Sequence, residues 1–325
     1  MSGIFHWHGG RLAAAREHYG ATRDDWIDLS TGINPIAWSG VEAIHPDWYS
    51  LPDPAALADL EQAAAAYFRV GPDHICALPG SETGLRLLGQ LIDAPACHIR
   101  PSYRTHAQAF PNSLGLQEPE AAPSATALLL ANPNNPDGRL YTRGQMQLLL
   151  SRQEKQGGWL IVDEAFADSV PGASIAHEVA DDRHLIILRS FGKFFGLAGV
   201  RLGFLLGPSS VIAACRRLLG DWPLSAAAID FGRAAYRDRR WIGETIASLP
   251  ERAARLDALL TRHGFIPRGE CPLFRLIEMP DAAALFNRLA RQAILARPFD
   301  EYPTWLRFGL PADDAALARL DEALG

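Results

Sequence analysis

An uninterrupted apolar run, Leu185-Ile186-Ile187-Leu188, passes within two residues into the glycine-rich segment Ser190–Gly203. A strand without polar alternation has to be buried on both faces, which places it inside a mainly parallel sheet covered by helices. In such open α/β sheets, ligands sit beyond the carboxyl ends of the strands. Lys193, just past this strand and among glycines, therefore has its amine in a ligand position. Ser190 and Arg201 supply a hydroxyl and a forked cation for an anion. An isolated loop lysine is ordinarily a surface residue. What gives Lys193 a role is the rest of the chain.

Similar junctions recur upstream. His74–Leu78 is read as a strand leading into Gly80-Ser81-Glu82-Thr83, which opens a helix through Ile92. Strand Ala96–Ile99 leads to Pro101-Ser102-Tyr103 and a helix over about Arg104–Leu114. Strand Ala125–Ala131 runs into the turn cluster Asn132–Gly138. Thr142 and Gln145 form a capping box for the next helix. Trp159–Val162 is a strand ending on Asp163-Glu164-Ala165-Phe166, and Leu202–Leu206 completes the set. Asp53 and Pro54 start an earlier amphipathic helix to about Phe68. The alternation predicts an α/β fold with a mainly parallel central sheet sandwiched by helices.

After Gly207 the pattern becomes α+β. A long helical stretch reaches about His263, with expected breaks near Asp221–Pro223 and at Leu249-Pro250. Next come Leu273–Glu278, a helix over about Ala282–Gln292, Trp305–Leu310 and a final helix over about Asp313–Leu324. Residues 41–207 are thus read as a large domain, and 208–325 as linker helices and a small domain. Residues 1–40, with a helical piece near Arg11–Tyr19, form an arm joining the small domain.

With 48% hydrophobic and 21% charged residues, the chain has the balance of a soluble globular protein. A formal net charge of -6 gives no reason to expect nucleic acid or an anionic membrane as partner. Any phosphate-bearing ligand must be held by local cations. Cys76, Cys97, Cys215 and Cys271 form no C-x-x-C pair and read as reduced and buried, as in a cytoplasmic protein. The N-terminus lacks the layout of a signal peptide, and no membrane span is expected. His6 and His8 alone are too few ligands for a metal site.

Taken together, the strand-end residues resemble the fold-type I pyridoxal-phosphate enzymes of the aspartate aminotransferase superfamily. The features that carry the resemblance are Ser190-x-x-Lys193 with Arg201 eight residues on, Asp163-Glu164-Ala165-Phe166, and Asn132-Pro133-Asn134-Asn135-Pro136-x-Gly138. It implies pyridoxal 5'-phosphate as cofactor, with Lys193 as its Schiff-base amine and later the acid/base. Asp163 would pair with the pyridine nitrogen, Asn135 with the phenolic oxygen, and Tyr103 would stack on the ring. Ser81 and Glu82 at a helix start, with Ser190 and Arg201, would hold the phosphate.

Within the superfamily, His8-Gly9-Gly10 and Ser30-Thr31-Gly32-Ile33-Asn34-Pro35 look like the threonine-phosphate decarboxylases of cobalamin biosynthesis. That resemblance implies a phosphorylated amino-acid substrate lined by His8, Gly9, Asn34 and Asn135, with Arg297 and Arg307 for its anionic groups. It also implies a homodimer. Histidinol-phosphate aminotransferases are related to that family, and they typically carry Glu where Ile33 stands. The chain departs from the common pattern elsewhere too. Phe166 replaces a frequent Tyr, Asp137 a usual Thr, and Leu51 the Tyr of a Tyr-Pro-Asp-Pro segment, which leaves Tyr49 as the candidate to reach a partner's cofactor phosphate. Two other readings remain open: an aminotransferase on an imidazole- or amino-acid phosphate, and a protein that binds the cofactor without catalysis.

Overall fold

Apolar runs with two faces to bury become the strands of a sheet, and helices supply the cover. In a computed structural model describing residue 5 and residues 8–20 and 25–325, the first six strands are β1 (Ile27–Asp28), β2 (Ile75–Leu78), β3 (Ala96–Ile99), β4 (Leu114–Leu116), β5 (Ala127–Ala131) and β6 (Trp159–Asp163). They are followed by β7 (Leu185–Ser190), β8 (Gly203–Leu206), β9 (Phe274–Glu278), β10 (Ile294–Leu295), β11 (Arg297–Pro298) and β12 (Trp305–Gly309). His6, on which the rejected metal reading partly rested, and the residues before Phe5 lie outside the described residues. The chain clusters into two compact units. One holds residues 37–135 and 139–246; the other holds the described residues up to Ile36, with 136–138 and 247–325.

The first unit carries a seven-stranded sheet in the order β2-β8-β7-β6-β5-β3-β4. Strands β4, β3, β5, β6 and β7 are parallel, and β8 runs antiparallel to both β7 and β2. Two reversals leave β2 pointing the same way as β7. Residues alternate between faces along a strand, so Phe204 meets Phe68 and Tyr236 on one side. Leu205, its neighbour, joins Leu85, Leu88, Val211 and Ile212 on the other. Each such fully buried side chain contributes about 1.5–3 kcal/mol. Helices Ser209–Leu219 and Ala226–Arg237, read from sequence with the C-terminal half, cluster with this sheet.

The caps form as their residue types dictate. Asp53 accepts a hydrogen bond from Ala55 N at 2.8 Å, and Thr142 and Gln145 close the capping box. Two expectations are corrected. The helix over Arg104–Leu114 is a 3-10 turn, Arg104–Gln108, followed by the edge strand β4. Pro111 lacks a donor, and Asn112 takes a positive φ of 56°, which together end helical geometry. The break at Leu249-Pro250 is absent: helix Arg239–Arg262 runs through Pro250. A proline there costs about 3 kcal/mol. Leu249, Ala253, Leu256 and Leu260, spaced on one face, are each at most 2% exposed, and their burial outweighs it.

The second unit holds the antiparallel sheet β11-β12-β9 and the parallel pair β1-β10. Helix Ala282–Arg291, capped by Asp281, buries Leu285, Phe286 and Leu289. Among the described residues no helix is long and apolar enough to cross a membrane.

Candidate active site

Parallel strands deliver their following loops to one end of the sheet. Because β8 is reversed, the residues that precede it arrive at that same end. Ser81 after β2, Tyr103 after β3, Asn135 after β5, Asp163 ending β6, Ser190 and Lys193 at β7, and Arg201 before β8 are thereby gathered along one sheet edge.

Ser190 pairs with Gly203 across the β7–β8 ladder. Gly203 packs directly on the backbone nitrogen of Ser81, so closely that a Cβ would overlap it. Helix Ser81–Leu91 begins at Gly80, whose φ of 90° is accessible to glycine and strained for other residues. A Cβ on Gly80 would stand 2.7 Å from the Arg201 Nη2 atom. The Arg201 guanidinium therefore lies against the start of a helix whose glycine cap offers no side-chain acceptor. A forked cation against a helix start, with Ser190 on the ladder beside it, is chemically suited to a phosphate. Glu82 follows Ser81 in the first turn of this helix. Its side chain turns away, accepting from Arg86 Nε and Thr105 Oγ1, both at 3.0 Å.

Asp163 is 6% exposed, between β5 and β7. Its Oδ1 accepts from Ala165 N at 3.1 Å, and its Oδ2 is 2.9 Å from His106 Nε2. Sequence reasoning missed His106, which is fully buried on the 3-10 turn after Tyr103. Its place three residues past Tyr103 could have suggested it, but the expected helix hid that geometry. The Tyr103 ring meets the imidazole edge-on, 6.0 Å between centroids. Burial, and then the charge of Glu82, push the Tyr103 phenol up to about 12. Lys193 lies on the short helix Phe191–Phe194 with Nζ 6.0 Å from the centre of the Phe166 ring. Phe166 is buried, so the amine has an apolar face where a tyrosine hydroxyl would be polar. Asn135 is half-buried in the turn after β5. Its neighbour Asn134 anchors that turn by donating to Pro101 O at 2.9 Å.

Behind this edge, Arg189 is buried with two carboxylates. Nη1 donates to Glu164 Oε2 at 2.6 Å, and Nη2 to Asp168. Burial pulls the guanidinium down, but Asp168 and Glu164 hold it above its ordinary value. The cluster fixes the segment carrying Phe166.

The second unit holds the remaining expected residues. Arg297 and Arg307 are direct partners across the antiparallel β11–β12 pair, so their side chains leave the same face. Both are buried, at 8% and 5% exposure. Arg307 Nη2 donates to Ser30 O at 3.0 Å, and its guanidinium lies 4.8 Å from the Phe274 ring centre. Burial, then the neighbouring Arg297 charge, push Arg307 down to about 9. Like charges directly opposite are destabilising, and an anion between them reverses both costs. Gly9 packs against Ser30 O too tightly for a side chain, and Gly10 N donates to Ser30 Oγ at 2.8 Å. Asn34 is buried, with Oδ1 accepting from Ile36 N at 3.1 Å, and His8 is half-buried. The sequence reading had no strand at Ile294–Leu295 or Arg297–Pro298. Two-residue strands leave no periodic signal. Among the described residues no group of three or more His, Cys, Asp or Glu is placed to hold a metal ion.

Residues 115–324 match the family model described as aminotransferase class I and II. The chain is 40% identical to a threonine-phosphate decarboxylase of Pseudomonas aeruginosa, over 98% of this chain and 96% of that protein. It is 38% identical to a threonine-phosphate decarboxylase of Sinorhizobium sp., over 98% and 97%. A solved histidinol-phosphate aminotransferase from Sinorhizobium meliloti, in complex with pyridoxal-5'-phosphate, superposes with a TM-score of 0.84 at 20% identity, covering 96% of this chain and 93% of that one.

Proposed function

We propose that this chain, which belongs to the aminotransferase class I and II family, is a pyridoxal-phosphate-dependent decarboxylase acting on L-threonine O-3-phosphate. Its products are carbon dioxide and (R)-1-amino-2-propanol O-2-phosphate, the linker required in cobalamin biosynthesis. The observation that carries this reading is identity of 40% along nearly the whole chain with a threonine-phosphate decarboxylase. The buried pair Arg297 and Arg307 supports it, since a substrate with both carboxylate and phosphate brings two anionic groups.

In this reading Ser81 N, Ser190 and Arg201 hold the cofactor phosphate, Tyr103 covers its ring, and Asn135 and Asp163 meet its ring oxygen and nitrogen. The chemistry that pyridoxal phosphate supplies when bound is an electron sink for the pair left by a departing carboxylate. Lys193 would hold the cofactor through its Nζ and, once the substrate's amine has displaced it, would carry a proton at that atom to the substrate's α-carbon. Phe166 gives that amine an apolar neighbour without a competing hydroxyl. Arg297 and Arg307 orient the substrate by its anionic ends, with His8, Gly9 and Asn34 lining it. Arg307→Ala is expected to raise KM about ten- to a hundredfold, the loss of a charge-assisted hydrogen bond, with a smaller effect on kcat. Steady-state kinetics check it, and an unchanged KM removes Arg307 from the site.

We also assign a homodimer in the cytoplasm. Trp48, Tyr49 and Leu51 are 69%, 100% and 67% exposed, a run of large apolar side chains suited to a second copy, and Tyr49 is the candidate for its cofactor phosphate. All four cysteines are buried and none forms a disulfide, which suits a reducing compartment.

The reaction is tested by single-turnover product analysis with cofactor-loaded protein and L-threonine O-3-phosphate, without any keto acid. Carbon dioxide and aminopropanol phosphate are expected. Formation of pyridoxamine phosphate without carbon dioxide would overturn the decarboxylase in favour of an aminotransferase.

A further inference from the structure

Cys76 and Cys215 take no part in the chemistry above, yet the fold sets their side chains against each other. We infer that they form a peroxide-sensitive dithiol, which closes to a disulfide joining β2 to helix Ser209–Leu219. Nothing in this depends on the reaction assigned to the cofactor end.

Sheet alternation and helix periodicity aim both residues at one core. Cys76 lies opposite Leu205 in the β2–β8 register, so the two side chains share a face. Cys215 follows Val211 by one helical turn, and Cys76, Leu205, Val211 and Cys215 belong to the same buried cluster. Hydrogen bonds on either side of Cys76 fix how strand and helix meet. Arg216 Nη2 donates to Ile75 O at 3.1 Å and to Glu61 Oε2 at 2.6 Å. Glu61 Oε1 accepts from Ala77 N at 2.8 Å. The residue after Cys215 is thereby tied to the residues flanking Cys76. The two sulfurs come close enough for one thiol to hydrogen-bond the other. That contact, and then the Arg216 charge, hold the Cys215 thiol below its ordinary value against burial. A thiolate stabilised by a neighbouring thiol and a cation is a reactive one.

A small oxidant can reach the pair. Cys76 lines a cavity of about 490 Å³, whose wall also carries Pro52, Leu57, Arg216 and the exposed Trp222. Hydrogen peroxide is little larger than water, whose share of liquid volume is about 30 Å³. With the shared proton on Cys215, the Cys76 thiolate attacks one peroxide oxygen and the O–O bond breaks. The departing hydroxide takes the Cys215 proton and leaves as water. The Cys215 sulfur then displaces the hydroxyl left on the Cys76 sulfur, and the S–S bond forms. That second hydroxide recovers the proton the pair first gave to solvent and becomes water. Two thiols are oxidised and one peroxide is reduced.

The test treats cofactor-loaded protein with hydrogen peroxide, unfolds it in guanidinium with an alkylating agent, and maps the cysteines by mass spectrometry. Wild type is expected to lose two of its four free thiols and to yield a Cys76–Cys215 cross-linked peptide. Dithiothreitol should restore both thiols. Cys97 is as buried as the pair but has Thr126 Oγ1 as its neighbour, at 3.6 Å, and it should keep its thiol. Cys76→Ser and Cys215→Ser are each expected to form no disulfide. The remaining thiol of the pair should react about tenfold more slowly, having lost the neighbour that stabilises its thiolate. If a serine variant does not fold, alanine replaces it, because alanine removes the sulfur without burying a hydroxyl. Four intact thiols in wild type after peroxide overturn the inference. Equal loss at Cys97 does so too, since it marks oxidation of unfolded chains, and so does a disulfide that joins two chains instead of β2 and its helix.

Discussion

Lys193→Ala is expected to lower kcat by at least about a thousandfold, while the protein stays folded by circular dichroism. Lys193 follows β7 on a single short helical turn, among the buried rings Phe191, Phe194 and Phe195. Its side chain is partly exposed, so its removal leaves no large core cavity and activity changes without comparable loss of stability. The visible spectrum of the cofactor-loaded protein should change in parallel, since no other amine is proposed to hold the cofactor. Residual turnover within tenfold of wild type would transfer the role to another group.

Arg189→Leu is expected to destabilise the fold by about 3–5 kcal/mol, because removing the cation leaves Glu164 and Asp168 buried together without compensation. Burial already raises the Asp168 carboxyl above its ordinary value even with Arg189 present. The pH dependence follows from that direction. A carboxyl whose folded value is raised binds protons more readily in the folded state, so the variant regains stability as the pH falls and loses it as the pH rises through the folded value. Urea denaturation at pH 5 and pH 8 measures this, and the gap to wild type should be larger at pH 8. A variant as stable as wild type at pH 8 would show that apolar packing replaces the cluster without loss.

What could be read from the sequence divides by distance along the chain. Lys193, Ser190 and Arg201 were legible because strand, turn and returning strand are encoded in adjacent residues. Asp163 and Asn135 were legible for a similar reason: each follows an apolar run, and turn residues mark where it stops. The 3-10 turn at Arg104–Gln108 was not, since the break at Pro111 and Asn112 comes after residues with ordinary helical character. His106 went unnoticed with it. Arg297 was found by resemblance, but its partnership with Arg307 depends on a two-residue strand fixed by distant neighbours. Pro250 misled because local propensity argues for a break, while tertiary burial of Leu249 and Leu256 decides otherwise.

The reversal of β8 bears on how the cofactor end of the molecule forms. Ser190, Lys193 and Arg201 lie on one hairpin excursion that leaves and re-enters the sheet at paired residues, Ser190 and Gly203. Bringing those three groups together closes a short loop, with little chain entropy lost beyond the hairpin itself. Ser81 must instead be recruited from far upstream. The part of the proposed anchor that would set the covalent attachment is thus nearly autonomous in contact order, while the proposed phosphate cradle is completed only when the edge strand β2 docks beside β8.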